Sequence, residues 1–350
     1  MAPTMTASPT NLDAFIAGLP AEVNVADIER QLSSMWQLAA ETPGTSVTRA
    51  SMGTLIVLCA TETELETATG IARDLTAHHP CRILAVLHDH TQAAPALSAT
   101  ITAHCHLGIG GGKQVCSEQI TVRATGSAVA QIPSVVESLL EADLPVTTWW
   151  TSPWPDTGTL RDRLLALSDR VCFDTSNWPP QARHPPAIRA VLRAYPRTAF
   201  HDLSWIRLAF WRALTAELFD SDAAAAELPA LHTIEIQHGT APGAAWRAQL
   251  YAVWLQHRLG RRLRTRLTQQ DLPETGLLDI CILSAQGRFQ IHKLPNEQAV
   301  ASVAHLPTLC ELPRKRALAP SDPLSLLCAA LDNPRPPADY RAVLEILAQP

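Results

Sequence analysis

Apolar positions along the chain recur at two periods, and the alternation between them outlines the fold. From Val25 onward, Ile28, Leu32, Met35, Trp36 and Ala39 fall at helical spacing, with Asn24 placed as an N-cap and Pro43-Gly44 as the stop. This spacing predicts an amphipathic helix within residues 21–45, and the small, polar, Pro-bearing stretch 1–20 before it reads as a disordered lead-in. Thr54 to Cys59 is an unbroken apolar run of strand length, and Thr61 with Glu64 forms a capping box. Leu65, Ala68, Ile71, Ala72 and Leu75 then make a helical stripe, and Ile83 to Leu87 a second apolar run. Strand, helix and strand in close succession read as a βαβ unit whose parallel strands are buried on both faces.

Residues 98–106 alternate as a strand, 107–112 form a glycine-rich turn, and 114–124 alternate again, which predicts an antiparallel hairpin. With a loop over 108–113, Leu107 pairs with Gln114 and Cys105 faces Cys116; a one-residue slip destroys that arrangement. A helix opening at Pro133 and a strand over 146–150 follow, and Pro153, Pro155 and Gly158 make 151–158 the linker in the middle of the chain. Beyond it come a helix near 160–167, a short strand over 170–174, a Pro-rich loop over 177–186 and a helix over 187–194. One stripe of Leu203, Ile206, Phe210, Leu214 and Leu218, a strand over 233–237, a helix over 244–259 and a hairpin of 277–283 with 289–294 complete the series. The fold class is therefore α/β: two α/β domains with mixed β-sheets flanked by helices, preceded by an amphipathic N-terminal helix. The domains are placed at 46–156 and 157–312, with a Pro-rich helical tail at 313–350.

Charge and composition narrow the function classes. With 28 basic against 33 acidic residues the net charge is −5, which removes the attraction that general nucleic-acid binders and polybasic membrane proteins depend on. No run approaches the roughly 18 apolar residues of a membrane span, and the start MAPTMTASPT has neither a basic nor an apolar signal region, so a cytoplasmic location is expected. Eight scattered Cys without a CxxC pair read, for the most part, as buried thiols of a reducing compartment. Nine Trp stand against six Phe and three Tyr, and 25 Arg against three Lys, an over-supply of flat anchors and guanidinium forks.

Candidate chemistry is sparse. The turn Cys59-Ala60-Thr61 lacks the glycines that let a dinucleotide pyrophosphate approach the backbone closely, so no nicotinamide cofactor is expected at this turn. The glycines at 108–112 before Lys113 fail the phosphate-loop pattern, because Leu107 and Gln114 occupy the places of its first Gly and its Ser or Thr. His104 and His106 share a strand face but lack a visible third zinc ligand. No nucleophile elbow or Cys/His signature occurs, and His201-Asp202 reads as a helix cap. Glu118 reads as a hydrogen-bonded edge residue, and Cys105 with Cys116 as a candidate redox pair. Arg258, Arg261, Arg262, Arg264 and Arg266 crowd the end of the long helix, where they are either a solvated helix end or a site for phosphate or an acidic partner surface. No catalytic, cofactor-binding or metal residue is assigned.

Several segments together carry a resemblance. They are Met35-Trp36; Gln114-Val-Cys-Ser-Glu118-Gln119-Ile120 with Arg123; Asp143-Leu-Pro145-Val with Trp149-Trp150; Asp169-Arg170-Val with Asp174; and Asp202-Leu-Ser-Trp205-Ile-Arg207 followed by Trp211-Arg212. In this order they resemble the glucose-6-phosphate dehydrogenase assembly protein family, OpcA, from about residue 22 to about 300. The resemblance implies a non-enzymatic cytoplasmic protein without cofactor that binds glucose-6-phosphate dehydrogenase, promotes its active oligomer and acts as an allosteric activator in the oxidative pentose phosphate pathway. Interface energy concentrates in Trp and Arg, so Trp149, Trp150, Trp154, Arg258, Arg261 and Arg262 are candidate contacts with that partner. Two alternatives remain: a sugar-phosphate-metabolising enzyme with an unrecognised site, and a thiol-responsive regulatory binding protein.

Overall fold

The computed structural model describes residues 9–42, 47–107, 114–154, 158–180, 185–274, 276–295, 297–307, 309–310, 312–333, 335 and 338–349. In chain order they form α1 (Pro9–Ile16), β1 (Ala21–Val23), α2 (Ile28–Glu41), β2 (Val47–Arg49), β3 (Thr54–Cys59), α3 (Glu62–Leu75), β4 (Arg82–Asp89), β5 (Ala96–Leu107), β6 (Gln114–Thr125), α4 (Ile132–Ser138), β7 (Val146–Trp150), α5 (Thr159–Leu167), β8 (Arg170–Phe173), α6 (Pro185–Ala194) and β9 (Ala199–Asp202). The series continues with α7 (Leu203–Arg207), α8 (Ala209–Glu217), α9 (Asp222–Ala225), β10 (Thr233–His238), α10 (Ala244–Leu259), β11 (Arg264–Gln269), β12 (Leu277–Leu283), β13 (Arg288–Lys293), β14 (Ala299–Leu306), β15 (Leu309–Cys310), β16 (Arg314–Ala317), α11 (Pro323–Asp332) and α12 (Ala338–Leu347). The chain forms two compact units. One comprises Met1–Phe173, Tyr195–Phe200 and Leu327–Pro334; the other Asp174–Ala194, His201–Leu326 and Arg335–Pro350.

The first unit is built on a mixed sheet of order β1-β5-β6-β4-β3-β7-β8-β9, with β2 beside β6. The predicted βαβ unit is present: β3 and β4 are parallel, and the Leu55 to Cys59 run is almost wholly buried. The capping box closes α3, since Thr61 accepts from Glu64 N at 3.2 Å and Glu64 accepts from Ala60 N at 2.9 Å. Asn24 caps a 3-10 turn that leads into α2, accepting from Ala26 N. The hairpin register is the expected one, Leu107 opposite Gln114 and Cys105 opposite Cys116, while the glycine-rich loop 108–113 lies outside the described residues. Two expectations need correction. Residues 9–16, read as part of a disordered lead-in, form α1, because Leu12 and Phe15 bury against β5 and α2. The domain boundary set at 156/157 falls within this unit, since β8 pairs in parallel with β7 and extends the same sheet.

The second unit holds a mixed sheet of order β11-β10-β12-β13-β14-β15, with β16 also paired to β14. Ile234, Ile236, Ile280, Ile282, Phe289 and Ile291 are fully buried on one face of it, and α10 packs on β10, β11 and β12. The stripe from Leu203 to Leu218 is not one helix. It breaks at Leu208 into α7 and α8, which buries Trp205 and Trp211 and leaves Ile206 and Phe210, expected on the inward stripe, half-buried. The segment 313–350 is not an appended tail: β16 joins the sheet, and α12 buries Tyr340, Val343 and Leu344 while packing on α6 and α10. Arg264 and Arg266 do not end a helix. They lie in β11, an edge strand parallel to β10 whose six residues are all exposed.

Candidate functional site

Two motif residues of the first unit, Trp36 and Glu118, meet in one buried ionic cluster. Glu118 sits in β6 between β5 and β4, so it is interior and not at an edge as its sequence context suggests. Its Oε1 accepts from Arg82 Nε at 2.5 Å and from Arg49 Nη2 at 2.9 Å, and its Oε2 accepts from Trp36 Nε1 at 2.7 Å. Arg82 also donates to Glu29 at 2.5 Å and to Leu139 O at 2.7 Å, while Arg49 and Ser51 donate to Glu141. Three carboxylates thus surround two guanidiniums and one indole, joining α2, β2, β4, β6 and the end of α4. Burial works against the Arg82 charge, but Glu118, Glu29 and Glu141 hold its proton above the usual arginine range. Sequence reading missed Arg82; the signal was an Arg opening an otherwise continuous apolar strand.

The neighbouring motif residues have local tasks. Gln114 is exposed at the start of β6 and pairs across to Val47. Gln119 Oε1 accepts from His104 Nε2 at 2.9 Å and its Nε2 donates to Thr121 Oγ1 at 2.9 Å, and burial pushes the His104 imidazole down. His106 bonds Thr76 at 3.0 Å, so the two histidines have separate partners. Cys105 and Cys116 are joined in a disulfide across β5 and β6. Asp143 takes a positive φ of 64° in the turn before β7, and the carbonyl of Pro145 accepts from Thr54 N at 2.9 Å, fixing β7 against β3.

A second buried polar network occupies the other unit. Asp202 caps α7 through Ser204 N at 2.9 Å, as its position suggests, and also accepts from Thr175 N, from Thr175 Oγ1 at 2.5 Å and from Tyr340 OH at 2.8 Å. Asp174 accepts from Ser176 N, Ser204 Oγ and Arg207 Nη1, the last at 2.6 Å. Trp246 donates to Thr175 Oγ1, and Arg247 to Ser176 Oγ. Burial and the nearby Asp174 push the Asp202 carboxyl up to about 6 against its hydrogen bonds. A carboxyl near that value suits proton transfer, yet Asp202 is fully buried and its oxygens are engaged by the protein's own donors. The network is a latch that ties α7, α10, α12 and the segment after β8.

Burial redistributes the predicted partner contacts. Trp149, Trp150 and Trp154 are 6%, 0% and 7% exposed, so all three are core residues of the first unit. Trp150 packs edge-on to Trp154, which also meets Phe173 and Phe200. Trp205 stacks under the Arg212 guanidinium at 4.0 Å, and burial lowers the Arg212 pKa to about 10. The arginines behave differently: Arg258 and Arg262 are exposed, and Arg261 donates to the carbonyls of Leu228 and Pro229. With Arg264 and Arg266 they make a basic strip along the end of α10 and the edge strand β11. Among the described residues no group of His, Cys, Asp and Glu is placed to hold a metal ion.

Comparison with known proteins places these elements. The family model described as glucose-6-phosphate dehydrogenase subunit N-terminal domain matches residues 72–192, and the one described as its C-terminal domain matches residues 198–344. The chain belongs to the OpcA family. Curated relatives carrying the name OxPP cycle protein OpcA include that of Nostoc punctiforme, 31% identical over 54% of this chain and 40% of its own length. That of Synechocystis is 31% identical over 68% of this chain and 47% of its own length. The chain therefore spans under half the length of these relatives. Among solved structures, an aldose-aldose oxidoreductase from Caulobacter crescentus covers 85% of this chain and 96% of its own, at a TM-score of 0.45 and 13% identity, a likeness too distant to speak to activity. The OpcA name ties the family to glucose-6-phosphate dehydrogenase and the oxidative pentose phosphate cycle.

Proposed function

We propose that this chain is a non-enzymatic assembly factor and allosteric activator that binds glucose-6-phosphate dehydrogenase in the cytoplasm and promotes its active oligomer. The observation that carries this reading is the match of both halves of the chain to domains described as those of a glucose-6-phosphate dehydrogenase subunit. The ionisable networks of both units agree with it, because their buried carboxylates Glu118, Asp174 and Asp202 are engaged by the protein's own donors. No described helix is long and apolar enough to cross a membrane. With the Trp candidates buried, the contact surface passes to the exposed Arg258 and Arg262. To favour the active oligomer, the protein must bind that form more tightly than the inactive one, since equal affinity shifts nothing. The test mixes purified cognate dehydrogenase with the full chain and follows activity and oligomer mass together. A complex of higher mass with raised activity is expected; no complex and unchanged kinetics would overturn the proposal.

A thiol-responsive reading is favoured by one observation, the Cys105–Cys116 disulfide. Reduction by a dithiol delivers two electrons and two protons and yields two thiols, freeing β5 and β6 from their covalent tie. Measuring dehydrogenase affinity with the chain oxidised, reduced and as Cys116→Ser tests it. Oxidised and reduced protein must differ, and the variant must match the reduced form.

A further inference from the structure

The second unit carries a cavity that the reading above does not use. Strand alternation sends the isoleucines of β10, β12 and β13 to the face under α10 and sends Gln237, Asp279, Gln290 and His292 to the opposite face. A polar outer face is ordinary for an antiparallel sheet. Here, however, Gln270, Leu272 and Glu274 on one side and Leu294, Pro295 and Gln298 on the other border that face and shape an open cavity of about 670 Å³, within the roughly 300–1,000 Å³ of small-molecule sites. Both walls are held by backbone bonds. Thr240 N donates to Leu272 O at 2.8 Å and Ala241 N to Glu274 O, while Leu294 N donates to Ala299 O at 2.9 Å. The cavity is therefore formed before any ligand arrives.

Its lining specifies a chemical class. Gln237, Asp279 and His292 lie side by side across three strands, and Gln290 donates to Asp279 Oδ2 at 2.7 Å. Gln270 and Gln298 add two more amides from the walls, and Leu272, Leu294 and Pro295 supply apolar surface. Each amide both donates and accepts, which suits hydroxyl groups, and the apolar patches suit the C–H face of a ring. Charge argues against a phosphate. Asp279, Glu274 and Glu297 are acidic, and Lys293 is already paired with Glu274 at 2.6 Å. His292 keeps Nδ1 buried without a partner among the described residues, an unmet hydrogen bond that an ordinary solvated face has no reason to retain.

We propose that this cavity binds a neutral polyhydroxylated small molecule of the sugar class. Titration calorimetry on the full chain with D-glucose, D-ribose and myo-inositol, each beside its monophosphate ester, tests the proposal. Saturable binding of at least one free polyol is expected, with its phosphate ester at least about tenfold weaker. Gln237→Leu, at an exposed sheet position, and Gln298→Leu, on the wall, should each weaken that polyol by about tenfold while the thermal midpoint stays unchanged. Asp279→Asn should narrow the gap between polyol and ester. Absence of saturable binding across all three polyols, an ester that binds more tightly than its polyol, or folded variants with unaltered affinity would overturn the proposal.

Discussion

At the scale of single residues, the motif side chains act through burial. Glu118 is the acceptor for Arg82, Arg49 and Trp36 at once, so Glu118→Ala leaves a buried guanidinium short of its counter-charge. A loss of about 3–5 kcal/mol is expected, read as a lower urea midpoint; a variant within experimental error of the parent would contradict the clamp. Asp202 gives a prediction of opposite electrostatic sense. Its folded pKa, about 6, lies above the 3.8 of a free aspartate because of burial and Asp174. The folded state thus holds this proton more tightly than the unfolded chain. The corresponding stability is complete below pH 3.8 and is lost as pH rises through 6, by on the order of 3 kcal/mol. The stability difference between parent and Asp202→Asn should therefore show a step in that window, with the parent falling relative to the variant. A difference that is flat with pH would refute it. Neither role could be read from sequence beyond the helix cap, because the partners of Glu118 lie up to 82 positions away and Tyr340 lies 138 from Asp202.

Elements differ in how much of their making is local. β3 and β4 were legible because strands buried on both faces read as continuous apolar runs. β11, with the sequence RTRLTQ, was not: all six residues are exposed, and only pairing with β10 makes it a strand. α1 escaped notice because eight residues give little periodicity, and its stability rests on Leu12 and Phe15 finding a tertiary surface. The two ends of α10 separate backbone from packing effects. Gly260 caps its C-terminus at φ 64° with open space around it, so Gly260→Ala should cost about 1 kcal/mol. Gly243 precedes its N-terminus at φ 78°, and an added Cβ would lie 2.6 Å from the Ser176 backbone. Gly243→Ala should cost about 1–3 kcal/mol more than its counterpart. Equal thermal shifts for the two variants would show that the close approach to Ser176 is not tight.

At the scale of the whole molecule, net charge and local charge point in different directions. The chain carries −5 overall, yet five arginines follow one another along the end of α10 and β11, with Arg258 facing Asp339 and Arg266 paired with Glu235. If this strip meets an acidic partner surface, Arg258→Glu, Arg262→Glu and Arg264→Glu combined should weaken the dehydrogenase complex by at least about tenfold and reduce its salt dependence. Differential scanning should find the thermal midpoint unmoved, since these side chains are exposed; unaltered affinity would exclude the strip. The sequence by itself determined the α/β class, the βαβ start, the hairpin register that sets Cys105 beside Cys116, and the resemblance to the OpcA family. These follow from local periodicity, turn chemistry and short motifs. Tertiary structure alone decided that Trp149, Trp150 and Trp154 are core, that Glu118 and Asp202 anchor buried networks, and that β9 returns to the first sheet. Each of these depends on contacts between residues far apart in the chain, whose burial and pairing no local pattern encodes.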